Sequence, residues 1–283
     1  MLYVSSACLK KSRINEIIKH FAENGIRNIE LSGGTDYYPE IVTDLKKLKK
    51  KYDLNYACHA YFPPPKNPFV VNLAACNDDI YQQSIKHYVQ CIDVLKYLGC
   101  GTLSIHAGFL VEISTDEIGR KLSNKIVYDE GKAYDRFCSA YKFITELCKK
   151  NNINFYLENN VLSQENYNEF GGHNYMMMTD YESIMKMKAQ LDFDLLLDLG
   201  HLHVSSHTLN LDFAQECENL CHHVKWYHIS ENNGISDEHR PLVEDSEILK
   251  EFYKLYDPVL NVTLETVGNI EEILRSTHLI SGK

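Results

Sequence analysis

Residues 228–239, HISENNGISDEH, gather a histidine, a glutamate, two asparagines, a glycine and an Asp-x-His pair behind the strand-like run Val224-Lys225-Trp226-Tyr227. A structural loop seldom needs that many groups able to donate a lone pair. Asp237 and His239 stand two apart, so in extended backbone both side chains point the same way and can grip one ion. A carboxylate beside an imidazole suits zinc, manganese or iron rather than calcium. The bland alternative is a polar loop with two solvated histidines. What weighs against it is the recurrence of the same residue types along the chain.

That recurrence shows once the elements are placed. Runs rich in β-formers at 2–6, 27–32, 54–60, 101–106, 153–158, 193–198, 224–228 and 259–265 read as eight strands. Helical stripes lie between them. Ile14, Ile17, Ile18 and Phe21 set the first, and Ile41, Leu45 and Leu48 the second. Helices are expected further on at 79–98, 132–149, 181–191, 213–221, 248–256 and 270–276. About twenty polar, Tyr- and Met-containing residues follow strand five, and a loop that long in a compact domain is usually functional. No linker or composition shift divides the chain. The pattern predicts an α/β fold, a single (β/α)8 TIM barrel over residues 1–283. A doubly wound sheet would carry a Gly-rich phosphate loop after strand one, and Ser5-Ser6-Ala7-Cys8 is not one.

Chemistry in such a barrel gathers at the C-terminal ends of the strands. Strand three ends on His59, strand four on His106 and strand five on Glu158. Strand six ends on Asp198 with His201 three residues on, strand seven on His228 with Asp237 and His239 in its loop, and strand eight on Glu265. A single histidine at a strand end is more often a hydrogen-bonded structural residue than a ligand, Glu265 alone could cap a helix, and Asp198 could brace a loop. Together they put ionised carboxylates at an apolar mouth with no lysine or arginine at the strand ends, which calls for a bound cation. Tyr61 in the loop after strand three, Asn159 after strand five, and Glu231 and Arg240 after strand seven are candidates to hold a substrate. Arg240 could take a phosphate or carboxylate bidentately, or simply form a surface salt bridge. His203 and His207 read as loop or supporting residues, and Cys217 and Cys221 as core-facing positions on one helix.

The totals set limits. Hydrophobic content of 44% and charged content of 24% are those of ordinary globular domains. No apolar run of about 18 residues appears, so no membrane association is expected. The opening MLYVSSACLKKSR lacks the pattern of a secretion leader, and the nine cysteines form no CxxC. A cytoplasmic location without disulfides is expected. The net charge of −10 counts mildly against a nucleic-acid surface.

In order along nearly the whole chain, CHAYF, SIHAG, LEN, DLGH, HISENNGISDEH and LET resemble the strand-end motifs of the xylose isomerase-like TIM-barrel superfamily. That superfamily includes sugar isomerases, ketose epimerases, inosose dehydratase and endonuclease IV-type DNA repair enzymes. The resemblance to its epimerases implies one divalent cation held by Glu158, Asp198, His228 and Glu265. It also implies that Glu158 and Glu265 relay protons on opposite faces of the substrate. The resemblance to endonuclease IV implies up to three zinc ions. His59, His106 and Glu158 would hold one, the epimerase set a second, and His201, Asp237 and His239 a third. The expected cofactors are therefore divalent ions, zinc or manganese, one to three per chain. The expected activity is isomerisation or epimerisation of a sugar, sugar phosphate or related polyol-ketone. A trinuclear-zinc phosphoesterase or AP endonuclease is the alternative, and a non-catalytic binding barrel a third reading. The Gly-rich turn of the nucleases gives way here to ENNVLSQENYNEFGG, and no basic stripe with interleaved aromatics could track DNA. A small-molecule sugar or sugar phosphate is the expected partner, with nucleic acid the less expected alternative.

Overall fold

The expected stripe of Ile14, Ile17, Ile18 and Phe21 is wholly buried along α1 (Ile14–Glu23), the first of the helices that wrap a closed barrel. The computed structural model describes residues 1–123 and 126–282. Its strands are β1 (Leu2–Ser5), β2 (Asn28–Leu31), β3 (Asn55–His59), β4 (Thr102–His106), β5 (Asn154–Glu158), β6 (Asp194–Asp198), β7 (Val224–Ile229) and β8 (Asn261–Leu264). Each pairs in parallel with the next and β8 pairs with β1, which makes the fold a single (β/α)8 TIM barrel.

The other helices are α2 (Ile41–Tyr52), α3 (Asp78–Leu98), α4 (Glu130–Lys150), α5 (Gln164–Glu169), α6 (Tyr181–Lys188), α7 (Leu199–Leu209), α8 (Phe213–Leu220), α9 (Glu247–Leu255) and α10 (Ile270–Ile280). Local chemistry fixes their ends. Asn77 caps α3 through the amides of Asp79 and Ile80, and Gly99 closes it in the left-handed region at φ +61°. Asp180 with Ser183 and Asn269 with Glu272 form capping boxes on α6 and α10. Among the described residues no helix is long and apolar enough to cross a membrane.

Alternation along the strands builds the interior. Tyr3, Ala57, Leu196 and Trp226, with Tyr156 against them, form an apolar cluster separate from the larger core between strands and helices. Two residues further along, a strand side chain points the same way again. Ala57 is thus followed by His59, Tyr156 by Glu158, Leu196 by Asp198 and Trp226 by His228. The polar layer lies directly above an apolar floor. Register sets its neighbours: His106 lies beside Glu158, and Asp198 beside His228.

Several expectations need correction. The segment holding His203 and His207 is no loop: it lies in α7, and nine of its residues, Leu199 to Ser206 and Thr208, are buried. A helix buried nearly all round leaves no amphipathic stripe to read. The loop after β5 contains the short α5. Residues 189–191 lie beyond α6, and Cys221 sits in a half-exposed 3-10 turn after α8, while Cys217 is buried as expected. All nine cysteines are free thiols.

Gly108, just past β4, has no room for a side chain. A Cβ there would stand 2.6 Å from Ala74 Cβ and 3.1 Å from the Phe137 ring. Gly108→Ala should therefore destabilise the chain by about 1–3 kcal/mol through overpacking. Urea unfolding measures it, and an unchanged midpoint would contradict this packing.

Candidate metal centre

Three buried histidines have their tautomers set by what surrounds them. His201 Nδ1 lies 2.9 Å from the Asn159 carbonyl oxygen, which can only accept, so Nδ1 carries the hydrogen. His59 Nδ1 donates to Ser104 Oγ at 2.9 Å while that hydroxyl donates to the Cys58 carbonyl. His228 Nε2 donates to Glu30 Oε2 at 3.3 Å, with the other carboxylate oxygen 3.0 Å away. The remaining ring nitrogens all turn toward carboxylates. His59 Nε2 is 3.3 Å from Glu158 Oε2, and His201 Nε2 is 3.3 Å from Asp237 Oδ2. His228 Nδ1 stands 3.3 Å from Glu158 Oε1 and 3.5 Å from Glu265 Oε2. Lone pair facing lone pair is repulsive unless a positive charge lies between.

Two observations test whether a metal fits. Both oxygens of Glu158, Asp198 Oδ2, His228 Nδ1, Asp237 Oδ1 and His239 Nδ1 are buried without a hydrogen-bond partner, and native proteins leave few such atoms. Secondly, ligands about 2.0–2.1 Å from a tetrahedral zinc lie about 3.3–3.4 Å apart. Separations of 3.1 Å between His59 Nε2 and His106 Nε2, and of 3.3–3.5 Å above, match such edges. The residues present fit divalent cations.

The structure gathers the candidate ligands into the three expected groups: His59, His106 and Glu158; Glu158, Asp198, His228 and Glu265; and His201, Asp237 and His239. Within each group one ligand atom per residue lies within 4.8 Å of the others. Glu158 belongs to two of them. Asp198 has a second task, since its Oδ1 accepts the His201 amide at 2.7 Å and so caps α7. Among the described residues no lysine or arginine pairs with Glu158, Asp198, Asp237 or Glu265.

Electrostatics divides the histidines. Burial lowers His59 and takes His106 down to about 4, outweighing Glu158 in both. Burial also opposes the charged form of His201, His228 and His239, but their carboxylates win. His239 rises to about 9 on Asp237, and the other two rise well above their usual value. Burial would raise Glu265, yet His228 takes it down to about 2, and His106, His59 and His228 hold Glu158 well below the carboxylate range. Asp198 moves the other way, to about 6, chiefly through burial.

Asp237 and His239 do not converge by strand alternation as expected. His239 is left-handed at φ +49°, and the pair meets at 2.9 Å in a loop closed by paired Glu231 and Arg240 backbones. The four candidate substrate residues fare differently. Asn159 is fully buried, its amide donating to the Asp198 carbonyl and accepting from the Asp198 N–H. It ties β5 to β6 and is closed to a substrate. Arg240 is exposed and pairs with Glu238 at 2.9 Å. Glu231 is buried beside it, one carboxylate oxygen without a partner. Tyr61 is half-buried at φ +67°, its phenol pushed up to about 12 by burial. A Cβ on Gly33 would stand 2.7 Å from Tyr61 Cβ, so that approach needs glycine.

Two residues escaped the sequence reading. Glu30 lies between Ile29 and Leu31, both wholly buried, and reaches His228 from β2. A lone acid in an apolar strand was the available signal. Asn160 donates to the carbonyls of Ala107, Gly108 and Met177, binding the β4 and β5 loops together.

A profile of the xylose isomerase-like TIM barrel family matches residues 18–255, and the chain belongs to that family. No curated protein matches the sequence. Among solved structures it is similar to a D-tagatose 3-epimerase-like protein, at TM-score 0.73 and 18% identity over 99% of this chain and 96% of that one. It is also similar to the 3-keto-D-glucoside 4-epimerase YcjR from E. coli, at 0.64 and 10% over 99% and 97%. Endonuclease IV from Thermus thermophilus gives 0.58 and 14% over 99% and 97%. At such identities the likeness is one of fold.

The raised His239 predicts how the cation-free chain responds to pH. An unfolded histidine titrates near 6.5 and the folded one at about 9. The His239–Asp237 pair therefore stabilises fully below about pH 6.5, and that stability is lost as pH rises through 9. In chelator, the melting temperature should fall across this window, and His239→Gln should flatten the fall. Equal slopes for the two proteins would refute the assignment.

Proposed function

We propose that the chain is a divalent-metal-dependent isomerase or epimerase acting on a sugar, sugar phosphate or related polyol-ketone. One observation carries the reading: Glu158 at the end of β5 and Glu265 just past β8 both approach His228 Nδ1, at 3.3 and 3.5 Å, in one group with Asp198. The sugar-epimerase names of similar folds support the choice of substrate class.

A divalent ion held by Glu158, Asp198, His228 and Glu265 supplies a Lewis acid that polarises a carbonyl and its neighbouring hydroxyl. The protein supplies the rest. Glu158 and Glu265 are kept ionised, so each can accept a proton near neutral pH. One takes the proton from the carbon beside the carbonyl. The other, once it has taken a proton from water, delivers that proton to the opposite face of the carbon, which inverts it, and the first glutamate releases its proton to water. Glu30 holds His228 by its Nε2–H and leaves Nδ1 turned toward both glutamates. Tyr61, half-buried in the loop after β3, would pack on a sugar.

Glu158→Gln and Glu265→Gln should each lower turnover by about 10²–10⁴-fold while the fold is kept. The assay is deuterium incorporation from heavy water into a panel of ketoses and ketose phosphates. Full activity in either variant would sink the mechanism.

A second reading, a zinc-dependent phosphoesterase, is favoured by the histidine-rich groups around His106 and His239, which exceed what one ion needs. Against it stand the net charge of −10 and the placing of Lys46 to Lys51 in α2, which leads into β3 from the opposite end of the barrel. Duplex DNA should bind only weakly, about 10⁻⁴ M or poorer at physiological salt. Efficient single-strand cleavage of an abasic duplex with zinc supplied would reverse the ranking.

A further inference from the structure

Another set of ligand-type side chains lies outside the strand-end groups. His203 and His207 stand four apart on α7 and so share one face of it. Glu247, the first residue of α9, meets them there. One ligand atom from each of the three lies within 4.8 Å of the other two.

The tautomer of His203 follows from Asn232. The Asn232 amide nitrogen donates to the Gly200 carbonyl at 2.9 Å, which identifies its oxygen. That oxygen accepts from the Gly234 N–H at 2.9 Å and from His203 Nδ1 at 2.7 Å. His203 Nε2 is left with its lone pair, and it faces Glu247 Oε2 at 3.5 Å. The separation matches two ligands of one tetrahedral ion, about 3.3–3.4 Å apart at 2.0–2.1 Å bond lengths. His203 itself is 6% exposed, with the Phe213 ring 4.9 Å away, whereas His207 and Glu247 are open to solvent. An ion can therefore enter from outside and meet a rigidly held imidazole. Gly234 completes the arrangement, because a Cβ there would come within 2.9 Å of His207 Nδ1.

We infer that His203, His207 and Glu247 bind one divalent transition-metal ion of the zinc class, with water filling its remaining position. Two imidazoles and a carboxylate select zinc over calcium or magnesium, which prefer all-oxygen shells. The hydrogen bond to Asn232 orients the ring as carboxylates and carbonyls orient zinc-bound histidines elsewhere. The ion ties α7 to the first turn of α9. Through Asn232 and Gly234 it also anchors one limb of the loop whose other limb carries Asp237 and His239. It is a brace, distinct from the ions of the barrel mouth and independent of the reaction performed there.

Calorimetric titration of zinc into chelator-stripped protein tests this with His207→Gln and Glu247→Gln. Both positions are exposed, and circular dichroism verifies that the variants fold. Each variant should take up one equivalent fewer than the unaltered chain, with the remaining equivalents unchanged in affinity. Because the readout is a difference, it holds whatever number the mouth binds. Uptake of the full number by both variants, at unaltered affinity, would overturn the assignment.

Discussion

The constraint on which this protein turns is the confinement of Glu158. The carboxylate is wholly buried at the end of β5, and four histidines, His59, His106, His201 and His228, reach it within 3.7 Å. Burying an ionised carboxylate without a counter-charge is prohibitive. The barrel surrounds it with imidazoles: His59 and His228 have their far nitrogens already committed to Ser104 and Glu30, while His201 faces it with Nδ1, the nitrogen that donates to the Asn159 carbonyl. Positive charge must therefore come to the facing nitrogens as protons or as metal. Those two occupants compete for the same lone pairs, which makes ion binding and protonation one linked equilibrium.

The barrel makes this arrangement simple to build. His106 beside Glu158 and Asp198 beside His228 are direct consequences of parallel register. Nothing in the loops has to fold correctly for those contacts to exist. The floor of Tyr3, Ala57, Leu196 and Trp226 is continuous with the polar layer, and Trp226, Thr263 and Glu30 link the two by hydrogen bonds of 2.9 and 3.2 Å. A shift of one residue in any strand would send its ligand outward to the helices and bring an apolar side chain in. Register is thus held by the apolar floor and the ligand layer together.

Why so much could be read from the sequence follows from the same geometry. Strand-end residues sit at positions that alternation and the strand boundary determine, so His59, His106, Glu158, Asp198, His228 and Glu265 could be assigned to one mouth without coordinates. Glu30 escaped because the sequence reading runs strand two on to residue 32, which leaves Glu30 inside an apolar run and not at its end. The helix α7 was invisible for a different reason. A period of 3.6 shows only where one face is wet, and α7 is dry nearly all round. Asp237 and His239 meet for a reason no periodicity encodes. Asn232 and Asn233 fold the loop back through their own side chains, accepting from Gly234, Ile235 and Ser236.

That loop also explains why one short stretch of sequence holds so many polar residues. Asn232 serves three partners at once, Gly200, His203 and Gly234, and so fixes both the loop and a helix histidine. Glu231 and Arg240 close the loop through their backbones, which leaves their side chains out of that bond. His228 at its start and His239 near its end then face the same mouth from two sides, while His203 and His207 lie against its outer limb. A change in the loop's conformation would move both groups of side chains together. The density of lone-pair donors there reflects two requirements laid on one segment: presenting His228, Asp237 and His239 to the mouth and holding the helix that carries His201.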